Sequence, residues 1–396
     1  MAWTLSDDAL IASPRFPPIE TDPFVDTLIA AHAPVAIGVS GGKDSTVAAF
    51  ETSAHLERAG HKGPKLLIHS DLGRVEHTDS RPACERLAAH LGLELVVVKR
   101  KAGDLMDRWQ VRWQHNLERY RQLQCVKLIL PWSTPAMRFC TSELKTAVIC
   151  RALVERFPHN TILSVVGLRR QESPSRAQAP VCAPQVKLRS ETFGTTGYSW
   201  NPILAWSRED VLAYHGFCGF PLHEAYTTYG LSRVSCAFCI LAGIDDLMAS
   251  ATDPRNHDIY REMVELEIIS TFSFQSGRWL GDVAPHLLSG DTLARLKEAK
   301  QQAASRERVE VRIPKHLHYV KGWPTVMPTR AEAVLLSEVR RSVADIMHLT
   351  IAYSEPEEIL NRYAELIALR VARRKGMSSP STPTSPIQQE LWSCVL

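Results

Sequence analysis

The chain lacks any apolar run near the ~18 residues that a membrane-spanning helix needs, so no membrane partner is expected. Its opening stretch, MAWTLSDDALIASPRF, is acidic early and has no basic region ahead of an apolar one, unlike a signal peptide. Charge imbalance is also missing: a formal +3 over 396 residues neither demands nor excludes nucleic acid. There is no internal repeat, and no GxxxxGK[ST] phosphate loop of the ordinary NTPase kind. With export signals absent, the nine cysteines argue for reduced thiols or metal chemistry rather than disulfides, and the cytoplasm is the expected location. What is present is 45% hydrophobic content, enough for a sizeable core and two domains.

The stretch VAIGVSGGKDSTVAAF (Val35 to Phe50) leaves an apolar run, turns through SGGKDS, and resumes helical spacing. Val35, Ile37 and Val39 read as a buried strand, and Thr46 to Leu56 as the following helix. Ser40, Gly41 and Gly42 then form a tight turn at a helix N-terminus. Glycines admit close backbone approach, and the free N–H groups and helix dipole favour an anion. Lys43 adds a mobile cation and Ser45 a hydroxyl donor. The alternative is an ordinary turn capped by Asp44. The combination favours a phosphate ligand.

Strand-like and helix-like segments alternate through the first half. After the first helix, to about Ala59, come a strand at Lys65–Asp71, a helix around Arg81–Leu91, a strand at Leu93–Arg100 and a long helix at Asp104–Leu123. A helix at Glu143–Phe157 and a strand at Thr161–Gly167 follow. The alternation predicts an α/β fold with a doubly wound parallel sheet and a ligand at the C-terminal strand ends. Beyond about residue 200 the segments are helical: Arg208–His215, Arg255–Ile269, Asp291–Arg306, Ala331–Met347 and Pro356–Arg374. The expected organisation is an N-terminal segment (1–33), a nucleotide domain (34–275), a helical C-terminal region (276–376) and a Ser/Thr/Pro-rich flexible tail (377–396).

Other motifs fall where strands should end. HSDLGRVEH (His69 to His77) offers Asp71 and backbone groups to a nucleotide, or forms only a turn with a helix cap. In RFCTSELK (Arg138 to Lys145), cationic neighbours and a helix start favour thiolate at Cys140. GLRRQESPSR (Gly167 to Arg176) presents Arg169, Arg170 and Arg176 as a clamp for phosphate or sulfate oxygens, or as a solvated basic loop. RVSCAFCI (Arg233 to Ile240) carries a CxxC pair, Cys236 and Cys239.

In this order, with WNPILAWSREDV (Trp200–Val211), these motifs resemble the PAPS reductase-like branch of the adenine-nucleotide α-hydrolases, the PP-loop superfamily, over roughly Pro34 to Glu267. The resemblance implies a parallel sheet of five or more strands that binds ATP or an adenylyl sulfate at its C-terminal edge. It implies Ser40, Gly41, Gly42, Lys43, Asp44 and Ser45 as the pyrophosphate loop, with catalytic work at Lys43, Asp44, Ser45 and Cys140. Asp71 and Gly73 become candidates for nucleoside contacts, and Gly167 and Arg169 for the second phosphate-facing loop.

Sulfonucleotide reductases resemble one another in a degenerate first loop and a terminal Glu-Cys-Gly-(Leu/Ile)-His motif. Here the loop is intact, and the chain closes on LWSCVL around Cys394. The intact loop is similar to that of enzymes splitting ATP into AMP and pyrophosphate, with Mg²⁺ on the leaving group. Cys140, Cys236 and Cys239 stand where the family places iron–sulfur ligands, implying a [4Fe–4S] cluster, with zinc or no metal as alternatives. Cys125, Cys182, Cys218 and His257 are candidates for a fourth ligand. An adenylating loop with a sulfur-handling cysteine set resembles the ATP pyrophosphatases of DNA phosphorothioation, the Dnd and Ssp systems. DNA would be the substrate, a cysteine desulfurase the sulfur donor, and other modification proteins partners. VKRK (Val98–Lys101) and RVARRKG (Arg370–Gly376) are basic stretches for backbone phosphates or simply solvated faces. The alternatives are a sulfur-assimilation enzyme, either a sulfonucleotide reductase or a sulfate adenylyltransferase, and a non-catalytic nucleotide-binding regulator.

Overall fold

The computed structural model describes residues 16–374. The expected tail at 377–396, with Cys394, lies outside the described residues, as does most of the 1–33 segment's opening. Among the described residues no helix is long and apolar enough to cross a membrane.

The first half runs α1 (Pro23–Ala30), β1 (Val35–Gly38), α2 (Lys43–Arg58), β2 (Lys65–Asp71), α3 (Ser80–Leu91), β3 (Glu94–Lys99), α4 (Leu105–Arg121), α5 (Phe139–Thr141), α6 (Ala147–Arg156) and β4 (Thr161–Val166). It continues through α7 (Pro174–Ala177), β5 (Cys182–Pro184), β6 (Thr196–Trp200), α8 (Arg208–Cys218), α9 (Glu224–Thr227) and α10 (Ile244–Ala251). One six-stranded sheet results, in the order β3-β2-β1-β4-β6-β5. Residue alternation assigns its two faces. Val35, Ile37, Leu67, Leu163 and Val165 pack with α1, α2 and α3. Ala36, Leu66, Ile68 and Ile162 pack with Cys150, Leu153, Val154 and Phe157 around α6. Strands covered on both faces read as continuous apolar runs, which is why these were legible.

The expectation of a wholly parallel sheet needs one correction. β1 to β4 and β6 are parallel, but β5 is antiparallel to β6, with Cys182 opposite Trp200. The short link between them is closed by the Ser190–Thr195 bridge, too tight for the crossover that a parallel pair requires. β1 lies between β2 and β4, so successive connections leave it in opposite directions. That switch point opens a crevice beyond the C-terminal ends of β1 and β4.

Two compact units are present: residues 16–105 with 135–257, and residues 106–134 with 258–374. Most of the long helix α4 therefore belongs with the C-terminal helices rather than with the sheet, unlike the division expected at residue 275. Its Trp109 packs edge-on against Trp132 at 5.3 Å, and Trp132 against Phe274 at 5.2 Å. The other helices of this unit are α11 (His257–Ser270), α12 (Gly290–Glu310), α13 (Arg330–Met347) and α14 (Pro356–Arg374).

Candidate functional site

The chain leaves β1 and reaches α2 through Val39–Gly42. Gly41 has φ +74°, and a Cβ there would stand 2.9 Å from His223 Cδ2 and 3.1 Å from the Ser80 carbonyl, so only glycine fits. Gly42 is the N-cap of α2 and offers no side-chain acceptor; the Lys43 N–H goes to Tyr226 OH, which leaves the Asp44 and Ser45 N–H groups of the first turn available to an external anion. Ser45 Oγ donates to the Gly42 carbonyl at 2.9 Å and accepts the Ser40 N–H at 3.3 Å, fastening the loop to the helix it starts.

Lys43 is held, not mobile as the sequence suggested. It is buried, and its Nζ lies 3.0 Å from Asp44 Oδ2 and 5.4 Å from the Tyr226 ring centre. Asp44 Oδ1 accepts Arg169 Nε at 2.5 Å, so one carboxylate bridges two buried cations. Gly167 brings the second loop to the first: its added Cβ would come within 2.8 Å of the Asp44 carbonyl oxygen and 2.9 Å of Ser45 Cα. The Ser40–Ser45 loop and the arginine loop are therefore brought together by a carboxylate and a glycine. Arg170 pairs with Glu20 and Arg176 with Glu172, so these two do not form the expected clamp with Arg169.

At the end of β2, Asp71 Oδ1 accepts the Gly73 N–H at 2.7 Å, and Gly73 takes φ +71°. This is the turn that the residues themselves suggested. His69, on the same strand, is buried with Nδ1 3.0 Å from the Val39 carbonyl and Nε2 3.5 Å from Glu76 Oε2. Burial alone would lower its pKa, but the contacts with Cys84 and Glu76 outweigh it and raise the value to about 10. Nδ1–H donates to the Val39 carbonyl and Nε2–H faces the carboxylate, a geometry that suits imidazolium.

Several residues of the site carried no signal in the sequence. Tyr226 OH accepts the Lys43 N–H at 3.3 Å and the Val234 N–H at 3.2 Å, tying the loop to the segment before the CxxC pair. His215 Nε2 donates to the Lys43 carbonyl at 3.1 Å. His223 Nδ1 accepts the Ala225 N–H at 2.9 Å, so the proton sits on Nε2, 3.3 Å from Ser80 Oγ. His77 packs 6.0 Å from His223, and burial, then the second imidazole, lowers its pKa to about 4. His77 closes the HSDLGRVEH stretch, but no motif marks Tyr226, His215 or His223, because what they share is only proximity in the fold.

The thiols are brought partly together. Glu76 and Cys236 form a β-bridge, and the Ala237 N–H donates to Val75 at 2.8 Å, so the DLGRVEH and SCAFC segments meet. Burial raises the pKa of Cys236, Cys239 adds to the rise, Lys145 opposes it, and Glu76 and Cys140 add further. Among the described residues, however, no group of three or more His, Cys, Asp or Glu side chains is disposed to hold a metal ion. The Cys140, Cys236 and Cys239 set thus does not fit a [4Fe–4S] cluster or zinc as arranged. Nor is a fourth ligand supplied: Cys182 packs in the core beside Trp200, Cys218 packs near Trp206 and Tyr214, Cys125 is buried in the other unit, and His257 Nε2 faces the Ala251 carbonyl. Mg²⁺ needs few protein ligands beside substrate phosphates. The loop's own carboxylate, Asp44, is already shared between Lys43 and Arg169.

The family model described as the phosphoadenosine phosphosulfate reductase domain matches residues 34–242, the span that holds the Ser40–Ser45 loop, the arginine loop and the CxxC pair. No curated protein sequence matches the chain. Among solved structures, FMN adenylyltransferase of Candida glabrata, in complex with FMN and the ATP analog AMPCPP, aligns at 13% identity and TM-score 0.33. That alignment covers 54% of this chain and 63% of the other. The phosphoadenylyl-sulfate reductase of Candida auris, a phosphate complex, aligns at 16% identity and TM-score 0.32, covering 56% of this chain and 98% of that one. Likenesses at this level carry no functional argument.

Proposed function

Since the chain belongs to the phosphoadenosine phosphosulfate reductase domain family, a family of nucleotide-binding enzymes of sulfur chemistry, we propose that it splits ATP into AMP and pyrophosphate to activate an acceptor oxygen for sulfur incorporation. The observation that carries this reading is the intact loop: Gly41 at positive φ, the uncapped start of α2, and buried Lys43 bound through Asp44 to Arg169. The first-turn N–H groups and Lys43 would bind the β and γ phosphates. An acceptor oxygen attacks the α phosphorus, the bond to the bridging oxygen breaks, and pyrophosphate leaves with the electron pair. Positive charge fixed at the departing oxygens stabilises that step without reorganisation. A sulfur nucleophile then displaces AMP from the acceptor. Ser40 and Ser45 hold the loop shape, and Gly167 and Arg169 position Asp44. Asp71 and Gly73 are proposed for the nucleoside, and Cys140 for the sulfur step.

The acceptor proposed is a non-bridging oxygen of the DNA backbone, with sulfur from a cysteine desulfurase and DNA-modification proteins as partners. The family match is equally consistent with a second reading, a sulfonucleotide reductase or a sulfate adenylyltransferase. The deciding experiment measures products from ATP, alone and with DNA or sulfate. AMP and pyrophosphate are expected, and ADP as the dominant product overturns the reading. Thiol-dependent sulfite release from an adenylyl sulfate would instead establish the reductase.

A further inference from the structure

A cavity of about 240 Å³ beside Cys140 is lined by Arg138, Thr141, Ser142, Thr146 and Lys187. It is open to solvent, its lining residues include two cations and three hydroxyl-bearing side chains, and no carboxylate is among them. Among the described residues, no acidic side chain forms an ion pair with Arg138 or Lys187. Several other arginines of this unit have carboxylate partners: Arg86 with Glu224, Arg156 with Glu94, Arg170 with Glu20 and Arg255 with Asp79. Lys187 Nζ spends one donor on the Ser142 carbonyl at 2.6 Å and keeps two.

The backbone here is also unusual. Ser142–Thr146 forms one turn of π-helix, a form that is rare in general and frequent at functional sites. Within that turn, the Leu144 carbonyl accepts Ser70 Oγ of β2 at 2.5 Å, which ties the cavity wall to the strand that ends at Asp71. The volume is below the ~300 Å³ at which pockets for drug-sized ligands begin, so the cavity suits one small group rather than a nucleotide. Two cationic side chains at its border, with no carboxylate among the lining residues, suit a small ligand rich in acceptor oxygens.

We infer that this cavity binds a tetrahedral oxyanion, either sulfate or a phosphate of the nucleic-acid backbone. Its role as the acceptor subsite rests on the ATP-cleaving reading above; the binding itself does not. Arg138, Lys187 and the hydroxyls of Thr141, Ser142 and Thr146 hold the non-bridging oxygens.

The test is calorimetry on the full chain saturated with α,β-methylene ATP, which fills the Gly41 loop without being cleaved. Sodium sulfate and a short single-stranded DNA are titrated separately into the unsubstituted protein and into Arg138→Gln and Lys187→Gln. Binding of at least one probe is expected, weakened about tenfold by each substitution, as loss of a charged hydrogen bond implies. DNA that displaces sulfate assigns the site to backbone phosphate; sulfate binding that DNA leaves undisturbed assigns it to sulfate. Arg138 is exposed and its side chain holds nothing else in place, so its substitution does not threaten the fold. The inference is overturned if neither probe binds the unsubstituted protein, or if Arg138→Gln binds as tightly. Products from ATP are scored in the same preparations without either probe. ADP there would overturn the proposed function while leaving the binding result intact.

Discussion

Lys43 and Arg169 are both buried, and a buried cation without a counter-charge is strongly destabilising. Asp44 supplies that charge to both, so the two cations are fixed in place before any ligand arrives. Lys43→Ala should lower AMP formation roughly 10²-fold if the ammonium stabilises the departing pyrophosphate. Initial rates of AMP release decide it, and an unchanged rate would make Lys43 a bystander. A pH prediction belongs to His69. Its folded pKa of about 10 stands above the ordinary 6.5, so its stabilising contribution is complete below pH 6.5 and is lost as pH rises through about 10. That contribution is on the order of a few kcal/mol. Urea midpoints should therefore fall between pH 6.5 and 10 in the unsubstituted chain and change much less in Glu76→Gln. Equal slopes would remove the His69–Glu76 pair from the account. SGGKDS was legible because glycine, lysine and serine at a strand-to-helix junction have a local meaning. Tyr226 was not, because it meets Lys43 from 183 positions away.

Elements behave similarly. Buried parallel strands were read within a residue or two, β2 to the residue, whereas helix ends drifted further: α2 begins at Lys43 rather than Thr46, and α12 ends at Glu310 rather than Arg306. The short strands β5 and β6 were missed. β6 contains Gly197, whose added Cβ would stand 2.4 Å from Leu188 Cδ1, so close packing chose a residue that argues against a strand. The helix expected at Glu143–Phe157 begins as the π-turn Ser142–Thr146. Over a single turn, apolar spacing does not separate i→i+5 from i→i+4 bonding. α8 illustrates a local device with a distant effect. Ser207 and Asp210 form a capping box at its start, and its His215 reaches the Lys43 carbonyl. Ser207→Ala should cost about 1 kcal/mol in urea unfolding while AMP remains the product. A loss several times larger would mean that the cap supports more than its helix.

For the molecule as a whole, stability and chemistry should separate. In the helical unit, buried Arg340 donates to the carbonyls of Tyr120 at 2.9 Å, Ala352 at 2.7 Å and Tyr353 at 3.2 Å. Burial lowers its pKa. Arg340→Met leaves those carbonyls without their donor, and should cost about 3 kcal/mol in urea unfolding. The ratio of AMP to ADP from ATP should not change. A changed ratio would bring the helical unit into the chemistry.

The sequence alone determined the alternation of strands and helices from β1 to β4, the parallel core of the sheet, and the glycine turn at the start of α2. Each of these rests on interactions between near neighbours: apolar alternation, a helix start, glycines in a tight turn. Only the tertiary structure decided that β5 runs antiparallel, that most of α4 belongs with the C-terminal helices, and that Asp44 joins Lys43 to Arg169. It also decided that Cys140, Cys236 and Cys239 do not form a three-ligand set among the described residues. Motif order places cysteines near one another in general terms. Ligation depends on where side chains end, and that is settled by packing between segments far apart in the chain.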